Sequence, residues 1–486
     1  MTMDKPRKWL TTIADEIGLL HLIHSPLDVK ILCFQRTVRF LAYGSTTLIL
    51  VLFLRALDIS EERIGLFMTL TLFGDVFVSL ILTVIADGLG RRRTLAMGAL
   101  LMAGSGVVFA LSSNYWILLL AAVLGVISPS GNEIGPFRAV EESTISALTG
   151  REERTGILAW YTVFGYSGAS LGVLVGGWVL RLVQKTQDWD ALDSYRLVFW
   201  AYAVLGLTKF ALCLLLSNAC EPERKETVSG DARRPLLAGQ EENVAVPIPN
   251  DRPHLEDSDE EPKESLFSKL TPNISQQSAS LLWKLCLLFA MDSIASGLTP
   301  ASWVTYFFSQ KFGLREDQLG TLFFVANVLS VFSNFAAAPL ARRIGLIKTM
   351  VFTHVPASIA LALIPVPNSL VLAIGLLAVR YCLNSMDQAP RQAFLAAAVQ
   401  PEERTAVMGT VNVVKTLSQS VGPLVTGALA GRSLFWVSFI MAGSLKLLYD
   451  VLMLGLFLGY RTVEERAEET LEASANEEEG APAPSR

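Results

Sequence analysis

The chain has 486 residues, 51% of them hydrophobic and only 17% charged, with a formal net charge of −5, whereas a soluble protein carries about 25% charged residues. A mean hydropathy of +0.44 excludes an ordinary soluble enzyme, and the acidic balance offers nothing to attract nucleic acid. Twelve spans of about 20 apolar residues each fit within this length and leave room for loops, tails and one linker.

Residues 1–30 are polar, carry Lys5, Arg7 and Lys8, and lack a short apolar stretch ending in a small-residue cleavage site. They read as a cytoplasmic N-terminal segment ahead of an uncleaved membrane anchor. Apolar runs predict helices over 31–54, 62–86, 94–112, 115–140, 156–180 and 196–217, a six-helix bundle over 31–217. Residues 218–280 are rich in Pro, Glu, Asp and Arg, as in EPERKE and EDSDEEPKE, and such a composition buries too little apolar surface to fold alone. We read them as a flexible cytoplasmic linker, so the Asn273 sequon is expected to carry no glycan. Further helices are predicted over 281–308, 317–341, 349–366, 369–397, 404–429 and 433–459, a second bundle over 281–459, and 460–486 form an acidic, disordered cytoplasmic tail. The predicted fold is an all-α integral membrane protein of twelve transmembrane helices in two pseudo-symmetric halves. Basic residues of short loops stay in the cytoplasm. An inside N-terminus puts Arg91, Arg92, Arg93, Arg151, Arg154, Arg342, Arg343, Lys348 and Arg404 there.

The halves repeat each other. Gly65, Asp87 and Gly90 map onto Gly320, Arg342 and Gly345 at one offset of 255. Arg151-Glu-Glu-Arg-Thr155 matches Pro401-Glu-Glu-Arg-Thr405 at offset 250, as do Gly172 and Gly177 with Gly422 and Gly427. Duplicated six-helix halves are the arrangement in which a midplane site between them is exposed alternately to either side.

The segment Thr83-Val-Ile-Ala-Asp-Gly-Leu-Gly-Arg-Arg-Arg-Thr-Leu95 closes the second span. Asp87, Gly90, Arg91, Arg92 and Leu95 resemble the loop 2 to 3 signature of the major facilitator superfamily, with Thr83 in place of its leading Gly and Gly88 in place of its usual Arg. The resemblance implies a conformational gate at Asp87, Gly90, Arg91 and Arg92 that latches the cytoplasmic side. In the fifth span Gly165-Tyr-Ser-Gly168-Ala-Ser-Leu-Gly172-Val-Leu-Val-Gly176-Gly177 resembles the glycine-rich signature of the drug/proton antiporters in that superfamily, although Val173 stands where Pro is expected. Close helix packing through small residues is its other reading.

A charge at the centre of a spanning helix costs about 2.5 to 3.5 kcal/mol on insertion scales, so those present should face a cavity or a partner. Arg380, Asn384, Asp387 and Arg391 fall on one helical stripe of the tenth span, Asp292, Ser296, Thr299 and Trp303 on one of the seventh, and Arg36, Arg39 and Tyr43 on one of the first. The fourth carries Ser128-Pro-Ser-Gly-Asn132-Glu133 and then Arg138, Glu141 and Glu142. The resemblance implies that these four helices line the central cavity. Arg36, Arg39, Glu133, Asp292, Arg380, Asn384 and Asp387 are therefore the expected substrate-binding or proton-coupling residues. Arg138 with Glu141 or Glu142 reads as a local ion pair, and Arg391, Asp75 and Lys415 are secondary candidates for inter-helix pairing or gating.

The expected function is secondary active transport of a small solute by alternating access, coupled to protons. Glu133 and Asp292 are the first choices for the proton-linked acid, since a carboxylate in a low-dielectric cavity can take up a proton near neutrality. Several cavity arginines point to an anionic or amphiphilic substrate. The rival reading is a non-transporting receptor or scaffold that uses its linker and tail to bind partners. No cofactor or metal is expected: the four histidines do not cluster in sequence, and neither a P-loop nor a G-x-S-x-G motif occurs. The five cysteines read as buried free thiols. A monomer in the lipid bilayer is expected, in the plasma membrane or, if Asp15 to Leu20 acts as an acidic dileucine signal, a vacuolar or endosomal one.

Overall fold

The structure, a computed structural model, describes residues 19–125, 127–130, 136–221, 276–399 and 403–458. Among them all regular structure is helical. A short helix α1 (Leu19–His24) precedes α2 (Leu27–Ala56), α3 (Glu61–Leu89), α4 (Arg91–Leu111), α5 (Tyr115–Leu124), α6 (Pro136–Leu148), α7 (Arg151–Gln187) and α8 (Ala191–Leu214). A single 3-10 turn, Asn218–Cys220, follows. The second half comprises α9 (Gln276–Leu298), α10 (Ala301–Phe312), α11 (Glu316–Ile344), α12 (Leu346–Leu363), α13 (Leu370–Asn384), α14 (Gln388–Ala398), α15 (Arg404–Gly431) and α16 (Phe435–Phe457).

These helices make twelve spans in two halves, because three spans are broken. The fourth is α5 with α6, divided around Ser128-Pro-Ser130; the seventh is α9 with α10, divided at Thr299-Pro300; the tenth is α13 with α14, divided at Ser385 to Asp387. Proline removes a helical donor and crowds the preceding turn, and backbone groups freed in a membrane need new partners. They find them here: Thr47 donates to the Ser128 carbonyl at 3.2 Å, Thr426 to the Leu298 carbonyl at 2.6 Å, and Ser302 to the Pro129 carbonyl. The breaks divide two of the predicted stripes, so Arg380 and Asn384 lie on a different helix from Arg391. The linker expected over 218–280 lies mostly outside the described residues; at its edges, α9 begins five residues early, at Gln276, and 218–220 form the turn.

The repeat is visible in the backbone. Gly90 (φ +94°) and Gly345 (φ +89°) make the same tight turn between consecutive helices in the two halves. At each, the next threonine but three, Thr94 or Thr349, donates its hydroxyl back to the glycine carbonyl at 2.9 and 2.8 Å. An aromatic core of Phe53, Phe67, Phe109 and Phe199 joins α2, α3, α4 and α8. Outward side chains such as Leu120, Val204, Leu207 and Val371 are apolar and exposed, as a lipid-facing surface requires. All five cysteines are free and none is exposed.

Candidate functional site

In the first half, Glu141 of α6 is completely buried together with Arg39 of α2 and Lys209 of α8. Arg39 grips it in a fork, Nη1 to Oε1 at 2.7 Å and Nη2 to Oε2 at 2.9 Å, while Lys209 donates to Oε1 at 2.7 Å. The Tyr161 hydroxyl of α7 donates to Oε2. Forked arginine–carboxylate pairs are strong and directional, and this one ties four helices together. The Phe137 ring covers both cations, 4.9 Å from the Arg39 guanidinium and 4.5 Å from the Lys209 ammonium. The expected local pair therefore resolves: Arg138 is exposed and bridges Glu142 at 2.7 Å, whereas Glu141 is held by other helices.

In the second half, Asp292 of α9 is buried between Arg391 of α14, Nη1 to Oδ2 at 2.8 Å, and Lys446 of α16, Nζ to Oδ1 at 2.7 Å. Lys446 also donates to Ser296 at 2.9 Å. Arg391 reaches Asp387 one turn earlier, and its guanidinium lies 5.4 Å from the rings of both Phe289 and Tyr449. Beside this group His354 of α12, fully buried, approaches Asp450 of α16 through Nδ1 at 2.8 Å and Asp292 through Nε2 at 3.8 Å.

The two clusters are related by the repeat with their charges exchanged. Arg39 and Asp292 are 253 residues apart, the same spacing as Gly44 and Gly297 a turn later; Glu141 and Arg391 are 250 apart. Gly206-Leu-Thr-Lys209 corresponds to Gly443-Ser-Leu-Lys446, 237 apart. The acid and the arginine have changed helices while the lysine stayed. Sequence reasoning missed Lys209, Tyr161, His354, Lys446 and Asp450, which lie on helices whose charges it did not weigh.

The other expected residues are placed as follows. Arg36 is buried on α2 with its guanidinium 3.8 Å from the Tyr161 ring, beside the Glu141 cluster. Arg380 reaches the Thr299 hydroxyl at 3.5 Å, across the break of the seventh span, and the Tyr381 ring at 5.8 Å. Asn384, half-buried, ends α13. Asp75 of α3 is buried, and its Oδ1 has no hydrogen-bond partner among the described residues. Lys415 of α15 is half-buried, 5.8 Å from the Phe289 ring. Asn132 and Glu133 lie outside the described residues, and Asp87 lies in α3 with its side chain outside them. Of the expected gate, the Arg91 and Arg92 backbone N–H groups donate to Glu221 at 2.7 and 3.2 Å, and the Arg92 side chain donates to Asn218. Asp28 of α2 accepts from the Ser217 N–H at 2.8 Å and hydroxyl at 2.6 Å. Burial, with Asp28 alongside, pushes the neighbouring Cys220 thiol up to about 11.

The halves touch each other at the end opposite this turn. A Cβ on Gly65 would sit 2.5 Å from the Pro423 carbonyl oxygen and 2.8 Å from the Gly427 Cα; one on Gly177 would sit 2.3 Å from the Glu316 carbonyl oxygen and 3.2 Å from the Gly320 Cα. The glycines matched by the repeat thus pair crosswise, α3 on α15 and α7 on α11. Around them Tyr306 donates to Glu61 at 2.9 Å, Tyr195 to Glu316 at 2.7 Å, and Trp178 to Thr321 at 3.2 Å.

Residues 32–298 and 285–484 match the Major Facilitator Superfamily. The chain is 36% identical over 437 residues to the uncharacterized membrane protein YJR124C of Saccharomyces cerevisiae, covering 89% of this chain and 94% of that one. It is 23% identical over 203 residues to the quinolone resistance protein NorA of Staphylococcus aureus, covering 42% of this chain and 47% of NorA. Among solved structures, a D-xylose-proton symporter superposes with a TM-score of 0.63 at 13% identity, over 88% of this chain and 96% of the symporter.

Proposed function

The chain belongs to the Major Facilitator Superfamily and is an integral, multi-pass membrane transporter, and on that footing we propose that it carries a small anionic solute by alternating access, coupled to protons. Arg380 carries the substrate assignment. It is an intramembrane cation whose described polar contact is a hydroxyl, and among the described residues no carboxylate lies within ion-pair distance of it. Arg39 and Arg391, by contrast, are neutralised by Glu141, Asp292 and Asp387. A cation left without its anion in a membrane is costly, and a carboxylate or phosphate on the substrate supplies the missing partner in fork geometry. Thr299 sits in the break ahead of α10, where the first N–H groups of a helix favour negative charge.

Alternating access is supported by where the halves are joined: close glycine contacts at Gly65, Gly177, Gly320 and Gly427 hold them at one end, and Ser302 reaches Pro129 where the fourth and seventh spans are broken. Proton coupling is supported by the buried carboxyl of Asp75, whose Oδ1 has no hydrogen-bond partner among the described residues, because burial penalises the charged carboxylate more than the neutral acid. Glu133 and Asp292 remain the other acids of this reading. One proton crossing about 100 mV and one pH unit supplies roughly 3.7 kcal/mol, enough for a solute gradient of roughly 500-fold. The basic loops support a cytoplasmic side for both termini and the linker, in a plasma, vacuolar or endosomal membrane.

The test is substrate-triggered proton movement in proteoliposomes with an internal pH dye, screening pools of organic anions, amphiphilic cations, sugars and amino acids. An organic anion should give the signal, Arg380→Gln should abolish uptake, and Arg380→Lys should lower it at least tenfold. Anion uptake by Arg380→Gln at the wild-type rate overturns the substrate assignment. Uptake without a pH change overturns the coupling.

A further inference from the structure

His354 is buried between carboxylates carried by two other helices. Both ring nitrogens face carboxylates: Nδ1 is 2.8 Å from Asp450 Oδ1 and 3.0 Å from its Oδ2, and Nε2 is 3.8 Å from Asp292 Oδ1. A neutral imidazole carries one N–H and one lone pair. If the N–H points at Asp450, the lone pair points at Asp292, anion against acceptor; the other tautomer sets a lone pair against Asp450 at hydrogen-bond distance. The Asp450 contact is a hydrogen bond and the 3.8 Å approach to Asp292 is ion-pair range, so a doubly protonated ring is paired with both carboxylates. The side chain is 1% exposed, so water is a poor substitute.

The charges around the ring are arranged to feel that proton. From α16 come Asp450, Tyr449 (ring centroid 5.8 Å away) and Lys446; from α9 comes Asp292. From α14, Arg391 and Asp387 act through Asp292, and Lys415 of α15 lies within electrostatic range of Asp292. Arg380 of α13 is turned to Thr299, and Arg342 and Arg343 stand in the last turn of α11.

We propose that His354, between Asp450 and Asp292, is the proton-binding site of the second half, and that its proton acts on the tie between the seventh and tenth spans. A protonated Nε2 pairs with Asp292 Oδ1, the oxygen that Lys446 now holds. Lys446 already has a second acceptor in Ser296 and shifts onto it. The Asp292 to Arg391 hydrogen bond, which ties the seventh span to the tenth, then sits in a more positive field. The inference rests on the proton-coupled reading above and assigns its proton to a group on the ninth span.

The test needs no substrate. Hydrogen–deuterium exchange at the imidazole C2 position depends on ring protonation and is read for each histidine by mass spectrometry. It is applied to the full-length protein in phosphatidylcholine nanodiscs between pH 5 and 8.5. The His354 rate should change at least tenfold across that range, with His21 and His24 as internal references. In Asp450→Asn it should slow at least fivefold at pH 6; in Asp292→Asn, whose oxygen is farther, it should slow less. A flat His354 profile, or one unaltered in both variants, overturns the proposal. A titrating His354 in a protein without coupled flux leaves the site standing and removes the coupled reading instead.

Discussion

In the first half Glu141 is enclosed by two cations and a phenol, whereas in the second Asp292 shares Arg391 with Asp387 and has a histidine and a further carboxylate beside it. The two clusters descend from the same repeated positions, and both place an arginine, an acid and a lysine on three helices. The first is a closed set in which each carboxylate oxygen already accepts two donors. A buried carboxylate whose acceptor sites are filled from three other helices rigidifies what it joins. The second contains a ring that can gain a charge without leaving its place. We read the first as a rivet and the second as the part of the carrier that changes state.

The comparison is broken most directly by Glu141→Ala, which leaves Arg39 and Lys209 buried without their anion. Removing one partner of such a pair costs about 3 to 5 kcal/mol, so the variant should lose its monodisperse gel-filtration peak at a markedly lower temperature. The double exchange Arg39→Asp with Glu141→Arg gives the first half the polarity of the second and should recover at least half of that loss. No recovery would mean that the polarity itself is fixed by the surroundings of each cluster. Asp292→Ala should be milder, about 2 kcal/mol, because Arg391 keeps Asp387; the same thermal assay ranks the two.

At the far end the halves are alike instead of inverted, so matched substitutions should match in effect. Gly65→Ala and Gly177→Ala each thrust a methyl group against a carbonyl of the other half, an overpacking of about 1 to 3 kcal/mol. They should impair transport to a similar degree, and a large inequality in proteoliposome uptake would deny the crosswise symmetry. The smallest effect is expected from Tyr306→Phe. Glu61 retains Arg55 at 3.3 Å, so this change should destabilise less than Tyr195→Phe, each by about 1 kcal/mol.

The spans and the repeat were legible in the sequence because both are written along the chain. Apolar length announces a helix, and Gly65 with Gly320 or Gly177 with Gly427 announces the duplication. Arg39, Glu141, Asp292, Asp387 and Arg391 also stood out, since a membrane makes any charge conspicuous. What one helix could not reveal was the partner on another. Helical spacing offered Arg138 either Glu141 or Glu142, three and four residues away; the fold gives it Glu142 and gives Glu141 to Arg39, 102 residues away. Lys209, Lys446, His354 and Asp450 sit on the sixth, ninth and twelfth spans, where no stripe of polar residues drew the eye. The matched Gly-x-x-Lys of Lys209 and Lys446 is the signal that would have found two of them.

Glu221 has a practical consequence for dividing the molecule. Its carboxylate occupies the N-terminus of α4, and Ser217 just before it is held by Asp28 at the start of α2. The first bundle therefore ends, in its bonding, seven residues after α8 does. A chain cut at Leu214 for co-expression of two fragments strips the cap from α4 and the donors from Asp28 of α2. One cut after Glu221 carries its own stopper.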